Sequence, residues 1–197
     1  MKRASAGSAA CLTLSVKRDA GWPVFKSCPQ HLKENQRNMG FSTEMNCYER
    51  LQARGLKLQD VPAPIGNFTH CTREGNLLFL SGQGPLDETG CLMTGKVGDN
   101  VTADEAYAHA LLVGLNLLSV LHVELGDLSR VKRVVKLLGM VNATPDFADH
   151  PRVINGCSDL FVDVFGDAGR HSRSAVGVGS LPGNITVEIE AIVAVRD

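Results

Sequence analysis

The sequence predicts an α+β domain: one mixed sheet with two helices on one face, in the order β-β-α-β-α-β-β. Three observations lead there. Residues 187–195 alternate strictly, with Val187, Ile189, Ala191, Val193 and Val195 on one face and Glu188 and Glu190 on the other. Two stretches with helical spacing, 102–125 and 151–165, are each followed by a glycine, Gly126 and Gly166. Between them the valine-rich run 131–141 reads as a strand, with Lys132, Val134 and Lys136 on a shared face.

Composition narrows the function classes. A chain of 197 residues with 44% hydrophobic and 21% charged residues is one ordinary globular domain with a proper core. A net charge of -1 gives no pull toward polyanions or acidic membrane surfaces. With aromatics at 5%, stacking on nucleobases is not expected either. No uninterrupted apolar run approaches the roughly 20 residues of a membrane span. The six cysteines are scattered without a CxxC pair, so free thiols in a reducing compartment are expected, and with them a cytoplasmic location.

The elements follow in order. Residues 1–43 are basic and aperiodic, with Asp19 and Glu34 as their only acids. They fit a disordered extension or a mis-assigned start, with Met45 as another initiator; organelle import is the weaker alternative. In the segment 44–60, Ser42 or Thr43 is predicted to cap a short helix through Tyr48, Leu51 and Gln52, ended by Gly55 and followed by a linker. From 61 the run Val61-Pro62-Ala63-Pro64-Ile65-Gly66 is stiff and extended. Residues 67–72 and 77–81 read as strands joined by a turn at 73–76.

Ser81-Gly82-Gln83-Gly84-Pro85 follows the second strand. No helix opens there, so a dinucleotide loop is excluded. What remains is backbone set close to something, with Ser81 and the glycine N–H groups as donors. Thr102 and Glu105 form a capping box for the first long helix. His109 and His122 on that helix lack metal-ligand spacing and read as ordinary helix residues, and no metal site is expected. The second long helix carries Asn155 among apolar neighbours, either a local hydrogen-bonding feature or a ligand contact.

The chemistry concentrates in 169–195. Glu188 on so apolar a strand needs a partner, and Arg173 at the start of the preceding strand is the nearest cation. If these strands pair as a hairpin around the Pro182-Gly183 turn, Arg173 and Glu188 lie toward the same sheet end. A guanidinium and a carboxylate there make a site for a small charged molecule; a structural ion pair is the alternative. Acyl-transfer elbows, zinc-protease, Walker and Cys-His signatures are absent.

Over 62–195 the chain resembles the RidA (YjgF, or L-PSP endoribonuclease) family. The pieces that carry the resemblance are Gly75-Asn76-Leu77-Leu78-Phe79-Leu80-Ser81-Gly82-Gln83, Asp146-Phe147, Asn155, Ser172-Arg173-Ser174 and Val187-Glu188-Ile189-Glu190-Ala191-Ile192, in matching order and spacing. The longer forms VNATPDF, VINGCSDLF and GRHSRSAVGVGSLP resemble a bacterial-type subgroup. The resemblance implies that 61–197 is a RidA-like domain with a chorismate-mutase-like fold. It implies a homotrimer with sites at subunit interfaces and no cofactor. It also implies hydrolysis of reactive enamine or imine intermediates to 2-oxo acids and ammonia.

Carried over residue by residue, Arg173 is the carboxylate binder and Glu188 the acid that positions or activates water. Ser81, Gly82 and Gln83 line the pocket from the strand end, and Asn155 is the pocket asparagine. Two departures stand out: Phe68 occupies the place of a pocket tyrosine in the deaminases, and Ala175 that of a frequent cysteine. Three functions are thereby in view: imine deaminase, a binder or regulator that holds a small carboxylate without turnover, and a ribonuclease or translation inhibitor. The last lacks a basic stripe with stacking aromatics.

Overall fold

A short helix, α1 (Cys47–Ala53), opens the part of the chain that the computed structural model describes, residues 45–196. The extension predicted at 1–43 lies outside it. Asn46, rather than Ser42 or Thr43, caps α1: its Oδ1 accepts from the N–H groups of Tyr48 and Glu49, and the Glu49 carboxylate accepts from the Asn46 N–H. The reciprocal pair needs an acid three residues after the cap, and Asn46 has one. Leu51 of α1 is buried in the common core.

The remaining elements are β1 (Cys71–Glu74), β2 (Leu77–Gln83), α2 (Ala103–Leu125), β3 (Val131–Asn142), α3 (His150–Phe165), β4 (Ser172–Val178) and β5 (Val187–Val195). The sheet order is β1-β2-β5-β3-β4. Neighbours run antiparallel except β3 and β4, which are parallel. The element order and the mixed sheet are those the sequence predicts.

The predicted β4–β5 hairpin does not form. β3 lies between the two strands, pairing with β4 on one side and β5 on the other. A turn does occur at the Pro-Gly pair, where Gly183 and Asn184 have φ of 60° and 57°, but the chain uses it to pass across the end of β3. Asn142, buried at that end, catches the passing loop: its Nδ2 donates to Asn184 Oδ1 (3.0 Å), and Lys96 Nζ donates to both Asn142 Oδ1 (3.0 Å) and the Gly179 carbonyl (2.5 Å). A local turn signal is silent about which strand is inserted between its arms.

Helices α2 and α3 cover one sheet face. Leu78, Leu80, Val134, Leu137, Val141, Ile189, Ala191 and Val193 point at them and join one core with Val113, Leu117, Ile154 and Phe161. Both ends of α2 are as predicted: Thr102 and Glu105 form the capping box, and Gly126 takes the left-handed conformation at φ 75°. Among the described residues α2 is the one helix long and apolar enough to cross a membrane, and 61% of its most apolar window is buried in this core, which accounts for its composition. Where α2 and α3 cross, Gly156 lies so close to the Tyr107 carbonyl that no Cβ would fit.

The other face of the sheet is open. It carries Phe79, Leu138, Met140, Val176 and Ile192, with Phe79 and Val176 each 42% exposed. Register shifts within β3 at 131–133 and 134–136 separate the cations from Val134. Val134 faces the helices while Lys136 lies on the open face, donating to Ser174 Oγ at 3.1 Å, so the predicted shared face of Lys132, Val134 and Lys136 is not formed.

Candidate functional site

The residues expected to form one site fall into two groups. The first surrounds Glu188. Because Val187 and Ile189 are buried against the helices, alternation sends Glu188 to the open face. There it crosses β2 at a bulge: Leu80 pairs with Ala191 and Gln83 with Ile189, leaving an extra residue in Ser81-Gly82. Gly82 is where the carboxylate rests. A Cβ built on it would fall 2.9 Å from Glu188 Cδ and nearer still to Oε1. Burial, then the neighbouring charge of Glu190, pushes the Glu188 carboxyl above the usual glutamate range.

The neighbours of Gly82 are held from behind. Ser81 Oγ donates to the Thr69 carbonyl at 2.7 Å and its N–H to the His70 carbonyl at 3.0 Å, so Ser81 is not the free donor that the sequence suggests. Gln83 Nε2 lies 3.2 Å from His70 Nδ1 and from the Ser81 and Gly82 carbonyls. His70 Nε2 donates to the Pro62 carbonyl at 2.8 Å, which leaves Nδ1 to accept from Gln83. Phe68 meets the His70 ring edge-on with centroids 5.8 Å apart and stays 45% exposed. From the helix side Asn116, 8% exposed, donates to the Gly84 and Leu86 carbonyls and fixes the loop beyond the bulge.

The second group surrounds Arg173. It pairs with Leu137, which faces the helices, and its guanidinium reaches α3: Nη1 donates to Ser158 Oγ (2.8 Å) and Nη2 to the Pro151 carbonyl (3.1 Å). Pro151, Asn155 and Ser158 fall on one stripe of α3, so partly buried Asn155 lies on the stretch of helix that Arg173 spans. Beside them Ser158, Val162, Arg170, His171 and Arg173 line an open cavity of about 240 Å³. A larger groove of about 610 Å³, with Tyr48, Leu56, Val61 and His122 among its lining residues, contains none of the predicted site residues.

Arg173 and Glu188 do not meet within one chain. Met140, the β3 partner of Glu188, is also the partner of Val176, so the two residues differ by two strand spacings and three positions. That is about 14 Å between backbones, with the side chains on opposite faces.

Residues 48–191 match the family described as "YjgF/chorismate mutase-like, putative endoribonuclease". The chain belongs to this YjgF/RidA family. Protein TCP17 of Trypanosoma cruzi is 43% identical over 148 residues, covering 75% of this chain and 92% of its own length. The crystal structure of Atu1372 from Agrobacterium tumefaciens, a protein of unknown function, superposes with a TM-score of 0.71 at 43% identity, covering 76% of this chain and 94% of that one. A 2-iminobutanoate/2-iminopropanoate deaminase of Dermatophagoides farinae is 30% identical over 136 residues, covering 68% and 91%.

Two residues of this YjgF/RidA chain escaped the sequence reading. Ser158 and His171 touch or adjoin Arg173, and their signal was the i, i+3 spacing of Asn155 and Ser158 together with a histidine two residues before the arginine. The four cysteines among the described residues are unpaired, as expected, and burial pushes the Cys71 thiol up to about 11 and the Cys157 thiol higher still. Cys157 lies in the core and Cys47 and Cys71 pack against it, whereas Cys91 is exposed.

Proposed function

We propose that the protein is an imine deaminase: it hydrolyses 2-imino acids to 2-oxo acids and ammonia at sites shared between subunits of a homotrimer. The observation that carries this is the placement of Arg173 on a cavity with two of its five N–H donors committed to α3, which leaves three for a ligand. A planar guanidinium holds a carboxylate by paired bonds and keeps its charge at every working pH. Similarity to the mite deaminase supports the same substrate class.

In this mechanism Arg173 grips the substrate carboxylate. Water adds to the imine carbon, and the Glu188 carboxylate accepts its proton as the C–O bond forms. Glu188 then returns that proton to the nitrogen, giving a carbinolamine. In the second half it takes the carbinolamine O–H proton and passes it to the nitrogen as the C–N bond breaks, so that C=O forms and ammonia leaves with the 2-oxo acid. An imine carbon is already electrophilic, so orientation and one proton acceptor suffice. Since Arg173 and Glu188 lie on opposite faces of one sheet, the complete site takes Arg173 from one subunit and Glu188 from the next. A second function, holding a small carboxylate without turnover, is favoured by Phe68, which supplies no hydroxyl where the deaminases have one.

The test is 2-oxo acid release from imines generated in situ by an amino-acid oxidase, wild type beside Arg173→Ala. Loss of a charge-assisted contact of roughly 1.5–3 kcal/mol weakens binding about tenfold or more. Arg173→Lys, with no parallel donor pair, leaves most of that loss in place. Wild-type release no faster than the uncatalysed rate moves the protein to the binder function; unchanged activity in Arg173→Ala removes the site altogether.

A further inference from the structure

Ser158 sits in mid-helix, where a serine hydroxyl commonly bonds back to a carbonyl of its own helix. Ser119 of α2 does so, donating to Leu115 at 3.0 Å. Ser158 instead lies between two side chains of the chain leading into and through β4: His171 Nε2 at 3.0 Å and Arg173 Nη1 at 2.8 Å. The directions of these bonds are fixed from the far end. His171 Nδ1 is 2.6 Å from the Gly169 carbonyl, which can only accept, so Nδ1 carries the proton. In the neutral ring Nε2 is then an acceptor. The Ser158 hydroxyl donates to it and turns its lone pairs toward Arg173.

The direction of the His171 shift agrees. Burial, assisted by the Arg173 charge and opposed by the bond to Gly169, disfavours the protonated ring. Each group in the line Gly169–His171–Ser158–Arg173 therefore has a defined donor and acceptor role. The line ends on the guanidinium, whose Nη2 is tied separately to Pro151.

We infer that Ser158 and His171 are positioning residues for Arg173, holding its guanidinium in one orientation so that the uncommitted N–H groups form a preset fork for a ligand carboxylate. This rests on the carboxylate-binding role proposed for Arg173. A free arginine side chain loses rotamer freedom when it grips a ligand, and a side chain already held has less to lose. The relay belongs to ligand affinity and not to the chemical step, because neither Ser158 nor His171 needs to touch the reacting carbon.

The experiment measures affinity for 2-oxobutanoate, the product-like carboxylate, by calorimetry, with imine-hydrolysis kinetics and melting temperature recorded for each variant. Ser158→Ala is expected to raise both Kd and KM about fivefold while kcat stays within about twofold. Ser158→Thr, which keeps the hydroxyl, restores both. His171→Gln places an acceptor amide near Nε2 and gives a smaller loss than His171→Phe, which supplies none. Ser158→Ala binding as tightly as wild type, beside an Arg173→Ala that binds weakly, overturns the relay and leaves the carboxylate role standing. Failure of Ser158→Thr to restore affinity, with a melting temperature that falls in both serine variants, makes Ser158 a packing residue and overturns it as well. Arg173→Ala binding 2-oxobutanoate like wild type overturns the carboxylate role and the relay with it.

Discussion

Arg173 and Glu188, the two charged residues on which the proposed chemistry depends, lie on opposite faces of one sheet with β3 between their strands. Arg173 reaches toward α3, whereas Glu188 rests on Gly82 at the open face. No side-chain rotation closes a gap of about 14 Å across a packed sheet.

The separation predicts complementation between inactive chains. If each site draws Arg173 from one subunit and Glu188 from its neighbour, Arg173→Ala and Glu188→Gln subunits together rebuild intact sites. In a trimer that holds both kinds of chain, about one site in three has both residues intact. Co-expression with two affinity tags, followed by activity measurement on doubly tagged oligomers, checks this. Doubly tagged oligomers without activity would rule out the shared site.

Gly82→Ala should separate stability from function. The methyl would occupy the space of the Glu188 carboxylate, but that carboxylate is the far end of a flexible, half-buried side chain and can move aside. The expected cost in stability is small, under about 1 kcal/mol. Turnover should fall tenfold or more, because a proton acceptor displaced by an ångström no longer meets its water. Denaturant titration beside kinetics decides between this and a backbone role for Gly82, which would lower both together.

Both ends of α2 were legible in the sequence because caps are local. Thr102, Glu105 and Gly126 act within a turn of their own positions. The cluster around Gly82 was legible only through the family motif, since no local rule assigns Glu188 to a glycine on a different strand. The β4–β5 hairpin was misread for the same reason. Pro182-Gly183 does turn the chain, but the α3 crossover makes β4 parallel to β3 and places β3 inside the apparent hairpin. Ser158 and His171 become a unit only once α3 packs beside β4.

The pH dependence follows from Glu188. Burial, then Glu190, raises its carboxyl pKa, so the acceptor form is reached only above the usual glutamate range. The rate should therefore rise with pH through that shifted value and level off above it. Glu190→Gln removes the second cause but not the first, so the inflection should move down without reaching the ordinary value. The stability linkage has the opposite slope: a carboxyl whose folded pKa is raised contributes fully below its unfolded pKa and loses that contribution as pH rises through the folded one. A pH–rate profile that is unchanged in Glu188→Gln would remove Glu188 from the proton transfer.

The open face of the sheet should be the trimer interface. Phe79, Leu138, Met140, Val176 and Ile192 lie there uncovered while α2 and α3 occupy the opposite face, and an apolar patch of this kind marks an interaction surface. Glu188 and Gly82 sit on the same face, so closing it with a second copy brings that copy's surface to the carboxylate. Phe79→Glu tests the idea without disturbing the core, because Phe79 is already 42% exposed in the single chain. Its stability as a monomer should change by no more than about 0.5 kcal/mol. A charge carried into a closed apolar interface has no partner there, so the variant should be monomeric in sedimentation at micromolar concentration and lose turnover. Wild type sedimenting as a stable monomer at the same concentration, or Phe79→Glu remaining trimeric and active, would exclude this face as the interface.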